Sequence, residues 1–138
     1  MRHFVTFVRT AFLAILLIGQ PAASQSQAAD IRGVITQQLQ AFQADDFERA
    51  FTFASPMIQG IFQNPERFGQ MVRNGYPMVW RPSDIKFGTI RDQAGTRVQI
   101  VYLTDQAGRL FEAQYEMIPT DTGWEINGVA IKPADLGA

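Results

Sequence analysis

The chain lacks cysteine and has a single histidine among its 138 residues. The absence of cysteine excludes disulfide bonds, thiolate metal ligands and a cysteine nucleophile. The histidine, His3, lies in a segment with the features of a signal peptide, so the mature chain has no imidazole for catalysis or metal binding. The sequence therefore implies no cofactor and no metal site.

A strong charge of either sign is also missing. The chain carries 12 lysine and arginine residues against 13 aspartate and glutamate residues, a formal net charge of −1. The signs alternate without a run of one kind, so there is no basic field for nucleic acid and no charged patch for a membrane surface. We expect no nucleic-acid partner and, after removal of the signal peptide, no membrane partner.

The amino-terminal segment has charged, apolar and small residues in the order that is typical of a secretory signal peptide. Arg2, His3 and Arg9 flank or interrupt an apolar stretch that is densest from Ala11 to Ile18. This stretch is shorter than the roughly 20 residues that a spanning helix needs, and the small-residue segment GQPAASQSQAAD follows it. The order predicts export, and an uncleaved anchor is the alternative.

Two positions fit the rule for signal cleavage, which requires small residues at the first and third places before the cut. They are the bonds after Ser24 and after Ala28, and the sequence does not separate them. Without cysteine, a lipoprotein anchor is excluded. We expect a periplasmic or secreted protein with a signal peptide at 1–28 and a single domain at 29–138.

The first half of that domain has a helical pattern. One predicted helix has an apolar stripe formed by Ile31, Val34, Ile35, Leu39 and Phe42. The opposite face of this helix carries Gln37, Gln38, Gln40 and Gln43. Asp45 and Glu48 form a capping box, which predicts a second helix with Asp45 as the N-cap. The apolar side of this second helix consists of Phe47, Ala50, Phe51 and Ala54.

One Ser-Pro pair and one Asn-Pro pair each predict the start of a further helix. Ser55 precedes a helix over 56–62 and Asn64 precedes a helix over 65–74, because proline is favoured at the first helical position. The second of these helices ends at Gly75, a typical C-terminal residue. The following segment YPMVWRP contains two prolines and is predicted to be irregular or an edge strand.

After Pro82 the apolar pattern changes to period two. Strands are predicted at 85–91, 97–104, 110–118 and 124–131, separated by the turn sequences DQAG, DQAG and DTG. The inward face of the middle strands is assigned to Val98, Ile100, Tyr102, Phe111, Ala113, Tyr115 and Met117, with Gln99, Glu112, Gln114 and Glu116 opposite. The predicted class is α+β, with N-terminal helices on a curved antiparallel sheet of four or more strands.

The last strand, TGWEINGV, contains a tryptophan, an asparagine and a glycine. Trp124 and Ile126 alternate inward, and Gly128 predicts a bulge that keeps Val129 on the same side. Asn127 then falls on the solvent side. We interpret the stretch as a core strand with a kink and not as a binding site.

Three motifs resemble a known family. QAFQADDFERAFTFASPMIQGIF, NPERFGQMVRNGYPMVWRP and GWEINGV are similar to short exported bacterial proteins known only as a domain of unknown function, number 4864; the likeness covers about residues 31–132. The order of elements resembles the cone superfamily of nuclear transport factor two, scytalone dehydratase and ketosteroid isomerase. The resemblance implies a hollow between helices and sheet, but no activity and no catalytic residue.

Ligand-binding candidates concentrate in the segment RNGYPMVWR. The candidates are Arg73, Tyr76, Trp80, Arg81, Tyr102 and Tyr115. Two arginines and two aromatic rings are suited to an anionic or aromatic ligand. The alternative is a connection in which Tyr76 and Trp80 fill the core while the arginines are solvated.

The leading functional hypothesis is a non-catalytic domain that binds a small ligand or a partner protein. A cone-fold isomerase or dehydratase using Asp84, Tyr102 and Tyr115 is the alternative, although no acidic residue alternates onto the apolar face of the middle strands. A homodimer through the solvent face of the sheet is a further hypothesis. That interface would contain Gln99, Val101, Leu103, Leu110, Glu112 and Ile118.

Overall fold

The computed structural model describes residues 22–134, with side chains from residue 25 onward. The apolar part of the predicted signal peptide lies outside the described residues. Helices α1 to α5 span Ala22–Gln43, Phe47–Thr52, Pro56–Phe62, Pro65–Gly75 and Pro77–Trp80. Strands β1 to β4 span Asp84–Gln93, Thr96–Thr104, Leu110–Thr120 and Gly123–Pro133. Between residues 22 and 134, no helix is both long and apolar enough to span a bilayer.

The α+β class is confirmed. The four strands form an antiparallel sheet in the order β1-β2-β3-β4, and the helices precede it in the chain. Helix α1 buries the predicted stripe: Ile31, Ile35, Leu39 and Phe42 are at most 1% exposed. These side chains belong to one apolar cluster. Residues of β2, β3 and β4 are members of this cluster, and residues of β1 pack against it.

Gln38 is an exception to the predicted α1 pattern. It was assigned to the polar face, yet it is only 3% exposed. The reason is its spacing, because Gln38 lies seven residues after Ile31 and three after Ile35, on the side of the helix that faces the core. The polarity of the side chain concealed a position that the helical period places inside.

The start of α2 corrects the predicted cap. Asp46, not Asp45, is the N-cap, and its Oδ1 accepts a hydrogen bond from the Arg49 backbone N–H at 3.1 Å. Asp45 lies one residue too early and has a positive φ of 54°. Only one of two adjacent aspartates can occupy the cap, so the other is free to bind elsewhere.

The two predicted proline starts are confirmed. Ser55 Oγ caps the N–H of Ile58 at the start of α3, and Asn64 Oδ1 caps α4. The segment after α4 is a short helix, α5, and the prediction of an irregular or edge strand was wrong. Tyr76 has the extended φ of −135° that a residue before proline favours, but Pro77 then begins a new helical turn.

The pairing of β2 corrects the predicted face assignment. Val101 lies opposite Ala113 and Gln99 lies opposite Tyr115. Since cross-strand neighbours share a face, Gln99, Val101 and Leu103 point toward the helices. Val98, Ile100 and Tyr102 lie on the other face, together with Glu112, Gln114 and Glu116. Both sides of β2 are apolar, so alternation alone did not distinguish them.

Buried Gln99 is accommodated by a bulge in β1. The pairing of β1 with β2 shifts between Phe87 and Ile90, which leaves Gly88 and Thr89 without paired residues on β2. Gln99 Nε2 donates to the Gly88 carbonyl at 3.0 Å, and Gln99 Oε1 accepts from Arg32 Nε at 3.3 Å. The amide is therefore fully used within the fold.

The predicted kink in β4 is confirmed. The register shifts so that Glu116 lies opposite Gly128 and Met117 lies opposite Ile126, which leaves Asn127 as the extra residue. Asn127 does not simply face solvent: its Oδ1 accepts from Ser55 Oγ at 2.8 Å and its Nδ2 donates to Glu116 at 3.0 Å. The bulge thus ties the start of α3 to the sheet.

Candidate functional site

A cavity of about 350 Å³ opens between the helices and β4. We call it the α3 cavity, because Ile58 and Phe62 of α3 form one wall. Met71 of α4 and Val129 of β4 form other parts of the lining, and Gln38 of α1 belongs to it as well. The cavity therefore uses every layer of the fold and exists only when the helices are seated on the sheet.

The wall of the α3 cavity is almost entirely apolar. Among the described residues, Gln38 and Tyr76 are the only polar side chains in its lining, which contains no aspartate, glutamate, lysine or arginine from that part of the chain. Gln38 Nε2 donates to the Ala50 carbonyl at 3.1 Å. Within residues 22–134, no donor is bonded to Gln38 Oε1.

One side of the cavity is a rigid aromatic cluster. Phe68 contacts Phe42, Phe51 and Phe62, with ring centroids 5.7, 5.3 and 5.7 Å apart. Tilted pairs at these distances are favourable beyond their apolar burial. Because these rings come from α1, α2, α3 and α4, they hold the helical layer together beside the cavity.

The α3 side of the cavity is less firmly held. Helix α3 has no buried residue, although Ile58 and Phe62 contact the core from one side. On its other side Met57 and Ile61 are 55% and 61% exposed. The helix is tied to the sheet at its N-cap, Ser55, through the hydrogen bonds from Ser55 to Asn127 and from Asn127 to Glu116. It has apolar side chains on both faces.

The candidate segment RNGYPMVWR divides into two parts. Arg73, Trp80 and Arg81 come together, with the Arg73 and Arg81 guanidinium carbons 5.0 and 4.5 Å from the indole centroid. Asp45 completes this group, which we call the Trp80 cluster. Asp45 accepts from Trp80 Nε1 at 2.8 Å and pairs with Arg81 at 3.0 Å. Tyr76 instead lines the α3 cavity.

Asp45 gives the Trp80 cluster a role in the fold. It joins α5 to the turn between α1 and α2, and it neutralises Arg81, one of the two arginines proposed for an anion. Anion binding by the remaining charge of Arg73 stays a prediction. The sequence contains one indication of this role: two aspartates are adjacent, and only one of them can cap α2. Because Asp46 is the cap, the Asp45 side chain is available for other contacts.

The family model described as "Domain of unknown function (DUF4864)" matches residues 24–136. The chain belongs to this family. The match includes every strand and all of α1 except its first two residues, so it covers the whole α3 cavity. Comparison with curated proteins found no match, and comparison with solved structures found none either.

The two remaining tyrosine candidates of this DUF4864 domain do not line the cavity. Tyr102 lies on the outer face of the sheet, opposite Glu112. Tyr115 is inside but fully enclosed, and burial raises the pKa of its hydroxyl above the ordinary value. Its oxygen has no hydrogen-bond partner among the described residues. The structure thus separates Tyr76, Tyr102 and Tyr115 into three environments.

Carboxylates are likewise kept apart from the cavity. Asp84 is exposed at the first position of β1 and is absent from the cavity lining. Across residues 22–134 there is no group of three or more histidine, cysteine, aspartate or glutamate residues placed to hold a metal. The chemistry that the cavity offers is apolar contact with two hydrogen-bonding side chains.

Proposed function

We propose that this domain binds a small, largely apolar molecule in the α3 cavity without transforming it. The observation that carries the proposal is the cavity itself, an open space of about 350 Å³ with apolar walls and only two polar side chains. Sites for small molecules have this composition and begin at roughly 300 Å³. Such apolar walls favour a ligand, because covering apolar surface removes it from water.

The volume sets the size of the ligand. A water-sized group occupies about 30 Å³, so the cavity holds on the order of a dozen non-hydrogen atoms. At about 0.5 kcal/mol for each of these atoms, binding yields about 6 kcal/mol. This corresponds to a dissociation constant of tens of micromolar. A ligand of this size is comparable to a medium-chain alcohol or a substituted two-ring aromatic.

The isomerase or dehydratase alternative lacks a supporting observation. Such chemistry needs a base and an acid that both reach the substrate. Asp84 and Tyr102 lie outside the α3 cavity, and Tyr115 has an enclosed hydroxyl with a raised pKa, which disfavours its anion. The lining supplies one amide and one tyrosine, a pair that orients a ligand better than it moves protons.

Export is part of the proposal. The apolar stretch before residue 21 and the small residues after it support a signal peptide. Among the side chains that the structure describes, from residue 25 onward, the first fully buried one is Ile31, so cleavage after either Ser24 or Ala28 leaves the described core intact. We place the working domain outside the cytoplasm, with a hollow of the kind that the cone superfamily resemblance implies.

The test is binding of 1-aminonaphthalene, a fluorescent two-ring probe that is neutral at neutral pH and whose emission shifts to shorter wavelength in apolar surroundings. We expect Ile58→Trp to weaken probe binding at least about tenfold, because the larger side chain occupies the cavity. Met57→Trp is the matched control on the neighbouring exposed position, and it should bind like the unaltered protein. Absence of probe binding, or equal binding by Ile58→Trp, would refute the proposal.

A further inference from the structure

We infer that Gln38 makes the α3 cavity selective for neutral ligands that donate a hydrogen bond, such as alcohols, phenols and primary amides. This inference rests on the proposed function, since it names the chemistry of the ligand in the same cavity. Three observations carry it: the fixed orientation of the Gln38 amide, the open space in front of its oxygen, and the absence of charged side chains from the lining.

The orientation of the amide is fixed by α2. The Ala50 carbonyl can only accept hydrogen bonds, and it lies 3.1 Å from Gln38 Nε2. Turning the amide over would set two oxygens against each other and would lose the bond. One N–H of the NH₂ group is therefore committed to Ala50, which fixes the orientation of the amide and leaves its oxygen to interact with a ligand.

The Gln38 oxygen retains access to open space. In the part of the chain that the structure describes, the Tyr115 hydroxyl is the only side-chain polar atom that is both enclosed and unpaired. Gln38 Oε1 also has no donor among these residues, but unlike the Tyr115 hydroxyl it is not fully enclosed. Gln38 as a whole is 97% buried, since 3% is exposed, and it lines the α3 cavity. We assign the space beside this oxygen to the α3 cavity, because Gln38 lines that cavity and is otherwise buried.

An unpaired amide oxygen beside apolar walls discriminates between ligands. An apolar ligand displaces water from this oxygen and provides nothing in exchange, which weakens its binding. A ligand with a hydroxyl or N–H group restores the hydrogen bond. We expect the donor to improve affinity by about tenfold over the same ligand with the donor blocked.

The lining also disfavours anions. A carboxylate entering the cavity would lose water, would meet no lysine or arginine, and would approach the Gln38 oxygen. The hydroxyl of Tyr76, which is half-buried in the lining, can serve a second polar atom of the ligand but carries no compensating charge. Fatty alcohols should therefore bind better than the corresponding fatty acids at neutral pH.

Three ligands with the same ten-carbon chain separate these effects: 1-decanol, 1-methoxydecane and decanoate. Each is used to displace 1-aminonaphthalene at neutral pH. We expect 1-decanol to bind about tenfold more tightly than the other two. Gln38→Met keeps the length of the side chain and should remove this difference while 1-methoxydecane still binds. Gln37→Met, on the same helix but outside the cavity lining, should leave the order unchanged.

The outcomes distinguish the inference from the function on which it rests. If none of the three compounds displaces the probe and the probe itself does not bind, the proposed function is wrong. If 1-decanol and 1-methoxydecane bind the unaltered protein equally, the inference about Gln38 is wrong and the cavity is unselective. This comparison needs no substitution, so it decides the question even if Gln38→Met fails to fold. Retention of the alcohol preference by a folded Gln38→Met protein would also overturn the inference.

Discussion

Individual polar residues in the interior account for much of the specificity of this fold. Gln99 uses its amide to satisfy a β-bulge, and Asn127 links Ser55 to Glu116. Asp105 closes the turn between β2 and β3 by accepting from the Arg109 backbone N–H at 2.8 Å and from the Arg109 guanidinium. These hydrogen bonds, the backbone one first, lower the pKa of the Asp105 carboxyl. Each of these residues is satisfied locally and therefore has a structural explanation.

Tyr115 differs because its buried hydroxyl has no partner among the described residues. We expect Tyr115→Phe to raise the free energy of unfolding by about 1–2 kcal/mol, since it removes an unpaired polar atom from the core. Tyr102→Phe, on the outer face, is the matched control and should change stability by less than about 0.5 kcal/mol. Chemical denaturation at neutral pH measures both, and a clear loss of stability in Tyr115→Phe would show that the hydroxyl has a partner.

The same pair of variants predicts a pH dependence. Burial raises the pKa of Tyr115 in the folded state, so the folded protein holds this proton more tightly than the unfolded chain does. The stability due to this proton is complete below about pH 10 and is lost as pH rises further. Tyr115→Phe should therefore be less sensitive than the unaltered protein to alkaline pH. If the free energy of unfolding fell equally in the two proteins above about pH 10, this expectation would be contradicted.

At the scale of elements, two glycines in helices have opposite surroundings. A Cβ at Gly69 of α4 would lie 2.5 Å from the ring of Phe47, whereas a Cβ at Gly33 of α1 would meet nothing within 4 Å. We expect Gly69→Ala to be destabilised by about 1–2 kcal/mol, because the cost of overpacking exceeds the gain in helix propensity. Gly33→Ala should be stabilised by up to about 1 kcal/mol. Thermal denaturation compares the two, and equal melting temperatures would mean that Phe47 does not hold α4 in place.

Most elements could be predicted from the sequence because their signals are local. Ser55 and Asn64 cap helices whose first residue is proline, and Ala94 and Gly95 adopt the positive φ angles, 43° and 86°, of a two-residue hairpin turn. Three features required tertiary information. The face of β2 depended on its register with β3. The partners of Asp45, Trp80 and Arg81, lie 35 and 36 residues away in the chain. Helix α5 depended on how Pro77 continues from α4.

At the scale of the whole molecule, the resemblance to the cone superfamily implies a hollow between helices and sheet, but the residue pattern of this chain does not predict its position or size. Its walls include residues of α1, α3, α4, α5 and β4, and the space between them depends on how far the helices stand from the sheet. Apolar periodicity identifies which side chains point inward but does not reveal whether they meet. Gln38 was missed for a related reason, since a glutamine on an amphipathic helix is more often solvated than buried.

The register of the sheet also limits the proposed homodimer. Gln99, Val101 and Leu103 were assigned to a dimer interface on the solvent face, but they are fully buried against the helices. They cannot contact a partner through the outer face. That face instead presents Tyr102 with Glu112, whose carboxylate pairs with Lys132 at 3.1 Å.

The central claim is that a small ligand occupies the α3 cavity, and NMR contacts between ligand and protein test it most directly. Methyl-labelled protein would be titrated with 1-decanol, and intermolecular nuclear Overhauser effects would be recorded. We predict contacts from the alkyl chain to the methyl groups of Ile58, Met71 and Val129 and none to Ile100 or Ile118 on the outer face. Contacts to the outer face alone, or no contacts at saturating ligand, would contradict the claim.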